Sequence, residues 1–199
     1  MKKSIIIAIG TIAMSLSTQA QEIFNTQTSW EPWKPGNRSA GVYYKPRSEA
    51  SVYGLRSVAE GQKFAEVDEI SNMGQYISTV PGGRYTVKFA YSHRQSAGNK
   101  ALRVAINGEL AYDMFIDNNS APGTFEYVSF DFKAQQASTF IGFYVISLSG
   151  DPNKGVLVDD VRIMAENLSD NLIQDGGFES GLKEIKRTAR SSSSVKDIS

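Results

Sequence analysis

The sequence contains no cysteine and a single histidine, His93, in 199 residues. Without cysteine there is no disulfide framework, no Cys-rich zinc site, no redox CxxC pair and no thiol nucleophile. One histidine excludes an HExxH metallohydrolase motif and any poly-histidine metal cage. An excess of one charge is missing too: Lys plus Arg and Asp plus Glu both number 21, so no bulk basicity points to nucleic acid. There is no glycine-rich phosphate loop, because Pro81-Gly82-Gly83 leads into a strand pattern and not into a helix. Apolar residues at 41% and aromatics at 11% are too many for a disordered chain. What remains is a compact domain with little catalytic equipment.

Long apolar runs are scarce, and the first is the most telling. Lys2 and Lys3 precede an apolar stretch over residues 5–16, and Thr18 and Ala20 stand at −3 and −1 of a cleavage site. That layout predicts a secretory signal peptide over residues 1–20. The stretch falls short of the roughly 20 residues that a bilayer span requires, which disfavours the alternative of an anchor. The expectation is an exported protein, periplasmic or extracellular, with no membrane span. The lack of cysteine suits an oxidising compartment.

From residue 63 to 164 the apolar residues recur with period two, the signature of half-buried strands. Tyr85, Val87, Phe89 and Tyr91 share one face, as do Leu102, Val104 and Ile106, then Val128, Phe130 and Phe132, then Ile141, Phe143 and Val145. Leu157, Val161 and Ile163 close the series. Turn residues such as Asn107-Gly108, Asn118-Asn119 and Ser149-Gly150-Asp151-Pro152 separate the segments. No stretch after the leader shows helical periodicity over ten residues. The fold class is therefore all-β, an antiparallel β-sandwich or jelly roll. Residues 26–62 read as loop plus edge strands. Residues 182–199, with five Lys and Arg and the run Ser191-Ser192-Ser193-Ser194, read as a disordered tail.

Three motifs in order carry a family resemblance. Gly61-Gln62-Lys63-Phe64-Ala65-Glu66-Val67-Asp68 is followed by Gly74-Gln75-Tyr76-Ile77-Ser78-Thr79-Val80-Pro81-Gly82-Gly83-Arg84-Tyr85, and Gly155-Val156-Leu157-Val158-Asp159-Asp160-Val161 ends the series. Together they resemble the galactose-binding-like carbohydrate-binding domains, most nearly their DUF642-like branch. A fourth segment, Asn171-Leu172-Ile173-Gln174-Asp175-Gly176-Gly177-Phe178-Glu179, is similar to the opening motif of that family, although here it follows a domain. Aligning Trp30-Glu31 with Phe178-Glu179 makes it a second copy of a degenerate start. The layout implied is a signal peptide over 1–20, a galactose-binding-like sandwich over 21–170, and a truncated repeat start with a tail over 171–199. A C-terminal strand that merely resembles an opening motif is the other reading of 171–179. In either case Leu172, Ile173 and Phe178 need an apolar partner, at the sandwich edge or on another subunit.

The resemblance implies a non-catalytic module that binds a polysaccharide or other glycan. It also implies a structural calcium near the opening Glu and the last-strand Asp, which correspond to Glu31 and Asp160, with Asp159 as alternative. For Asp159 the competing reading is a buried carboxylate that caps backbone amides. Sugar sites stack aromatic rings on pyranose faces and bind hydroxyls through polar side chains. On that logic Tyr91, Arg94 and Tyr127 are the leading ligand-binding candidates, with Trp33 and His93 beside them. The same tyrosines also suit a sandwich core, and Arg94 suits a structural ion pair. No catalytic residue is expected: His93 has no nucleophile elbow near it, and the scattered carboxylates are those of any sequence. The alternative function is a structural or adhesive protein that binds a protein partner, or itself, through residues 171–179.

Overall fold

The computed structural model describes residues 30–32, 43–69, 72–119 and 123–179. Among them ten strands run in chain order: β1 (Glu31–Pro32), β2 (Tyr43–Pro46), β3 (Lys63–Val67), β4 (Met73–Ser78), β5 (Arg84–His93), β6 (Lys100–Ile106), β7 (Glu109–Ile116), β8 (Glu126–Lys133), β9 (Ser138–Ser147) and β10 (Val156–Ala165). Among the described residues the helical element is one short 3-10 turn, Arg47–Tyr53.

The strands form two antiparallel sheets, ordered β1-β4-β9-β6-β7 and β2-β3-β10-β5-β8. From β3 onward every connection crosses between sheets except the β6–β7 hairpin, and the first and last of those eight strands are neighbours. That is jelly-roll topology, as the sequence pattern predicts. The hairpin turns at Asn107 (φ 53°) and Gly108 (φ 88°), the pair of positive φ values that a tight turn matching the strand twist demands. The expected edge strands before residue 62 are β1 and β2, one on the rim of each sheet.

The alternating residues meet between the sheets. Val87 and Phe89 of β5, Leu102 and Val104 of β6, Ile141 and Phe143 of β9, and Val161 and Ile163 of β10 are all buried in one core. Phe89 and Phe143 meet edge to face, with centroids 5.2 Å apart. A smaller apolar cluster lies on the outer side of the second sheet. There the 3-10 turn lays Ala50 and Tyr53, followed by Leu55, over Phe64 and Leu157.

Leu157 therefore does not share a face with Val161 and Ile163, contrary to strict alternation. The β5–β10 register shifts between Asp159 and Arg162, and Asp160 takes a positive φ of 46°. Before this bulge Val156 and Val158 face the core, and after it Val161 and Ile163 do. An extra residue in one strand inverts the side-chain parity beyond it.

The sandwich does not end at residue 170. Residues 171–179 run back as a strap along the C-terminal half of β10, beyond the stretch paired with β3. Leu172 N donates to the Ile163 carbonyl (2.8 Å), and Val161 N donates to the Gly176 carbonyl (2.9 Å). Asn171 adds a side-chain clasp: Oδ1 accepts from Ile163 N and Ile173 N, and Nδ2 donates to the Val161 carbonyl. Gln75, almost fully buried, brackets Gln174 by accepting its N–H and donating to its carbonyl. Ile173 and Phe178 enter the main core. The apolar partner that this segment needs is its own domain, and the boundary at 170 gives way to one body reaching residue 179. The signal segment 1–20, Trp33 and residues 180–199 lie outside the described residues.

Candidate functional site

Two of the candidate residues, Tyr91 and His93, lie on strand β5, and Arg94 directly follows it. Tyr91 and His93 line a groove of about 70 Å³ at the end of the sandwich, together with Phe115, Ile116, Thr124 and Glu126. The groove lies where β7, the rim strand of one sheet, meets β8, the rim strand of the other. Tyr91 is paired with Glu126 in the β5–β8 register, and its hydroxyl donates to Glu126 Oε2 at 2.8 Å. Burial, then that bond to a carboxylate, pushes the Tyr91 hydroxyl up to about 12. It stays protonated and directed. Phe115 stands beside it with 60% of its surface exposed.

His93 is buried, with Nε2 at 3.2 Å from the Gly98 carbonyl. That contact places the ring's N–H at Nε2 and leaves Nδ1 as an acceptor without a partner. Ser92 Oγ is buried and unpartnered as well. Buried polar atoms are almost always paired, so two orphans on adjacent residues of a groove wall are informative. An exposed ring beside a fixed tyrosine–carboxylate pair is what a polyhydroxylated ligand needs.

Arg94, next in sequence, turns away from the groove. It forms an ion pair with Glu66 and lies over the Tyr53 ring, 4.6 Å from the centroid. The same Glu66 oxygen accepts from Gly155 N at 3.0 Å. Arg94 thereby ties the β5 exit to β3 and to the start of β10, as the ion-pair alternative anticipates.

Tyr127 lies on the opposite, outward face of the second sheet. Its hydroxyl donates to Asp160 Oδ2 at 2.8 Å, and Arg162 Nε donates to Asp160 Oδ1 at 2.6 Å. Lys88 Nζ stands 4.7 Å from the Tyr127 ring centroid. Burial, then the bond to Asp160, pushes the Tyr127 hydroxyl up to about 12. The bulge creates this arrangement, because the positive φ at Asp160 turns its carboxylate towards β8.

Asp159 is completely buried and caps backbone amides. Its Oδ2 accepts from Ala59 N (2.8 Å) and Glu60 N (3.0 Å), and its Oδ1 accepts from Asp160 N (2.7 Å). Burial outweighs these three donors and raises the carboxyl to about 7. Glu179 of the strap continues the clamp, with Oε1 accepting from Gln62 N and Lys63 N. Four amides of residues 59–63 are thus held by two carboxylates from the C-terminal part of the chain. Beside the clamp lies an open cleft of about 510 Å³ that includes Glu60, Asp160, Arg162 and Glu179. Burial, and then the Asp160 charge, raises the Glu60 carboxyl.

The oxygens of Asp159 and Asp160 face N–H, O–H and guanidinium donors, a set that complements a carboxylate and opposes a cation. They do not fit a calcium ion as primary ligands. Among the described residues no group of three His, Asp or Glu side chains is arranged to hold a metal. Of Glu31, the third candidate, the structure describes the backbone, paired with Gly74. No helix among the described residues is long and apolar enough to cross a membrane.

Phe115 and Arg162 escape the sequence reading, and Glu126 figures there only as one of the scattered carboxylates. Phe115 falls on the outward face of β7, opposite Tyr112 and Met114, which pack against the core. For Glu126, pairing with Tyr91 across the sheet was a usable signal.

The family model described as "Protein of unknown function (DUF642)" matches residues 14–164, ending just before the strap. No curated protein matches the sequence. Similar solved structures include a family 35 carbohydrate binding module from an environmental isolate, with 10% identity and a TM-score of 0.45 over 69% of this chain and 93% of that one. The CBM22-1 xylan-binding domain of Paenibacillus barcinonensis Xyn10C shows 10% identity and a TM-score of 0.45 over 70% of this chain and 87% of that one. A Paenibacillus sp. cycloisomaltooligosaccharide glucanotransferase, complexed with cycloisomaltoheptaose, shows 7% identity and a TM-score of 0.43; 69% of this chain covers 18% of that enzyme. At these identities and scores the likenesses say nothing about the ligand of this chain.

Proposed function

This chain belongs to the DUF642 family, and we propose that it is an exported, non-catalytic carbohydrate-binding module acting at the cell envelope or in the extracellular matrix. One observation supports this reading above the others. The groove at the β7–β8 rim combines the exposed Phe115 ring with the Tyr91–Glu126 pair. Sugar hydroxyls both donate and accept, so a pyranose edge can meet the Tyr91–Glu126 pair while an apolar face rests on Phe115. The groove is too small to enclose a sugar and suits an exposed segment of a longer chain. His93 has a backbone carbonyl where a catalytic triad would place an acid, which supports a binding role over acyl transfer.

The first experiment is a glycan array with the full chain, in calcium and again in EDTA. Binding that survives EDTA and disappears in Phe115→Ala supports the module and the groove together. A blank array from protein shown to be folded defeats the reading. Export is tested separately, by N-terminal sequencing of protein recovered outside the cytoplasm; an intact residue 1 would end that part of the proposal.

A further inference from the structure

Among the described residues the two sheets end in β1, β7, β2 and β8, and three of these rims are closed to a further strand. β1 is two residues long and contains Pro32, and β2 is four residues long and ends in Pro46. β7 is bulged, its register against β6 shifting between Val104 and Ala105. Short length, proline and a bulge are devices by which sheets keep other chains off an exposed edge. β8 has none of them. It runs for eight residues without proline, in unbroken register with β5 from Lys133 opposite Arg84 to Glu126 opposite Tyr91. In an antiparallel pair, alternate residues turn their N–H and C=O to the partner strand. Ala134 N donates to the Gly83 carbonyl, so Phe132, Phe130 and Val128 direct their backbone groups to β5. Those of Tyr127, Ser129, Asp131 and Lys133 point outward, and no described residue takes them up.

The side chains of β8 leave the same rim unfinished. Val128, Phe130 and Phe132 turn inward yet are only half-buried, and Phe130 stacks on Tyr112 of β7 with ring centroids 5.0 Å apart. The strand is also complementary to itself. A second copy laid antiparallel about a two-fold axis at Phe130 sets Tyr127 opposite Lys133, Ser129 opposite Asp131, Val128 opposite Phe132 and Phe130 opposite itself. A cation then meets an aromatic ring, a hydroxyl meets a carboxylate, and apolar residues meet on the inner side. In that register the outward backbone groups of one strand face those of the other, because odd residues oppose odd ones. The next registers on either side are worse. An axis at Ser129 puts the Glu126 carboxylate opposite Phe132, and one at Asp131 puts two carboxylates together.

We infer that β8 is an interaction surface for a second copy of this chain, the two strands pairing antiparallel about Phe130 and joining two five-stranded sheets into one. The joint is isologous, with the same residues contributed from both sides. One strand pair with its flanking rings is at the small end of protein interfaces, so the dimer is reversible and depends on concentration. The axis sets one Tyr91–Glu126 groove at each end of the joint, which offers a repeating ligand two contacts. The pairing itself does not depend on the carbohydrate reading, and either stands without the other.

The test is sedimentation velocity of the full chain over a wide range of concentration, which should show monomer passing reversibly to dimer. Hydrogen exchange at both ends of that range should show the amides of Tyr127, Ser129, Asp131 and Lys133 slowed only where the dimer predominates. Ser129→Asp places a carboxylate opposite Asp131 on each side of the axis and should weaken the dimer roughly tenfold or more. Within one copy the new carboxylate lies opposite Lys88, so the melting temperature in dilute solution should hold. Adding Asp131→Asn to that variant should restore the dimer. A chain that stays monomeric at every concentration overturns the inference. So does a dimer in which those four amides exchange freely, or one that Ser129→Asp leaves intact, since either puts the joint elsewhere. A dimer weakened by Ser129→Asp but not restored by Asp131→Asn overturns the pairing about Phe130.

Discussion

Trp30 and Phe178, from opposite ends of the described chain, stack with ring centroids 5.4 Å apart and planes inclined by 29°. Both are buried in the main core, and Trp30 Nε1 donates to the Asp175 carbonyl at 2.9 Å. The two residues are the ones that coincide when Trp30-Glu31 is aligned with Phe178-Glu179. What reads in sequence as the start of a second domain is the closure of the first.

The strap should therefore be essential to folding. Phe178→Ala removes a fully buried ring, and substitutions of that kind cost roughly 3–5 kcal/mol. Truncation after residue 170 loses in addition the clasp of Asn171 and leaves Gln75 buried without its partners. Urea denaturation should show a clearly lowered midpoint for Phe178→Ala and no cooperative transition for the truncated chain. A truncated chain as stable as the full one would mean that the strap merely decorates the domain.

Asp159 predicts a pH dependence. Its carboxyl is raised from 3.8 to about 7 in the folded protein, so the folded state holds this proton more tightly than the unfolded state does. The contribution is fully present below about pH 4 and is lost as pH rises through about 7. Its size is on the order of a few kcal/mol. Thermal melts of the wild type should therefore lose stability between pH 4 and 7 through this group. Asp159→Asn, which keeps an acceptor oxygen but cannot ionise, should flatten that slope. An unaltered slope would place the titration elsewhere.

Arg94 is expected to matter for stability more than for ligand. Removing it leaves Glu66, which is 4% exposed, without its guanidinium partner. Breaking a buried pair from one side costs roughly 3–5 kcal/mol; the partial exposure of Arg94 argues for the lower end. Arg94→Ala should lower the denaturation midpoint while the folded fraction retains its glycan affinity. Affinity lost with no change in the midpoint would reassign Arg94 to the ligand.

The groove predicts the reverse pattern. Phe115→Ala and Tyr91→Ala alter a rim ring and a half-buried tyrosine, so each should unfold near the wild-type midpoint. Losing one stacking or hydrogen-bonding contact should weaken a neutral glycan by roughly tenfold, as a contact worth about 1.4 kcal/mol implies. Affinity electrophoresis through gels with embedded polysaccharide reads this directly. Two variants that migrate like the wild type in every gel would show the groove to be misplaced.

The sequence by itself determined the β-sandwich. Alternation is a local property: Tyr85, Val87 and Phe89 have one buried face whatever they pack against, and Asn107-Gly108 forms a tight turn through its own φ preferences. Tertiary structure decided the rest, because the remaining questions concern which distant groups meet. Asp159 and Asp160 are adjacent and chemically identical. One is buried against the amides of residues 59 and 60, and the other is turned outward to Tyr127 by a one-residue bulge that leaves no mark in the pattern. Arg94 follows His93 directly, yet its environment is set by Glu66 and Tyr53 rather than by the groove. Residues 171–179 carry the pattern of a beginning and instead close this sandwich, since the stretch of β10 beyond β3 and the core around Trp30 that they join exist only once the sheets have formed. Periodicity records which way a side chain points, and only the folded chain records what it meets there.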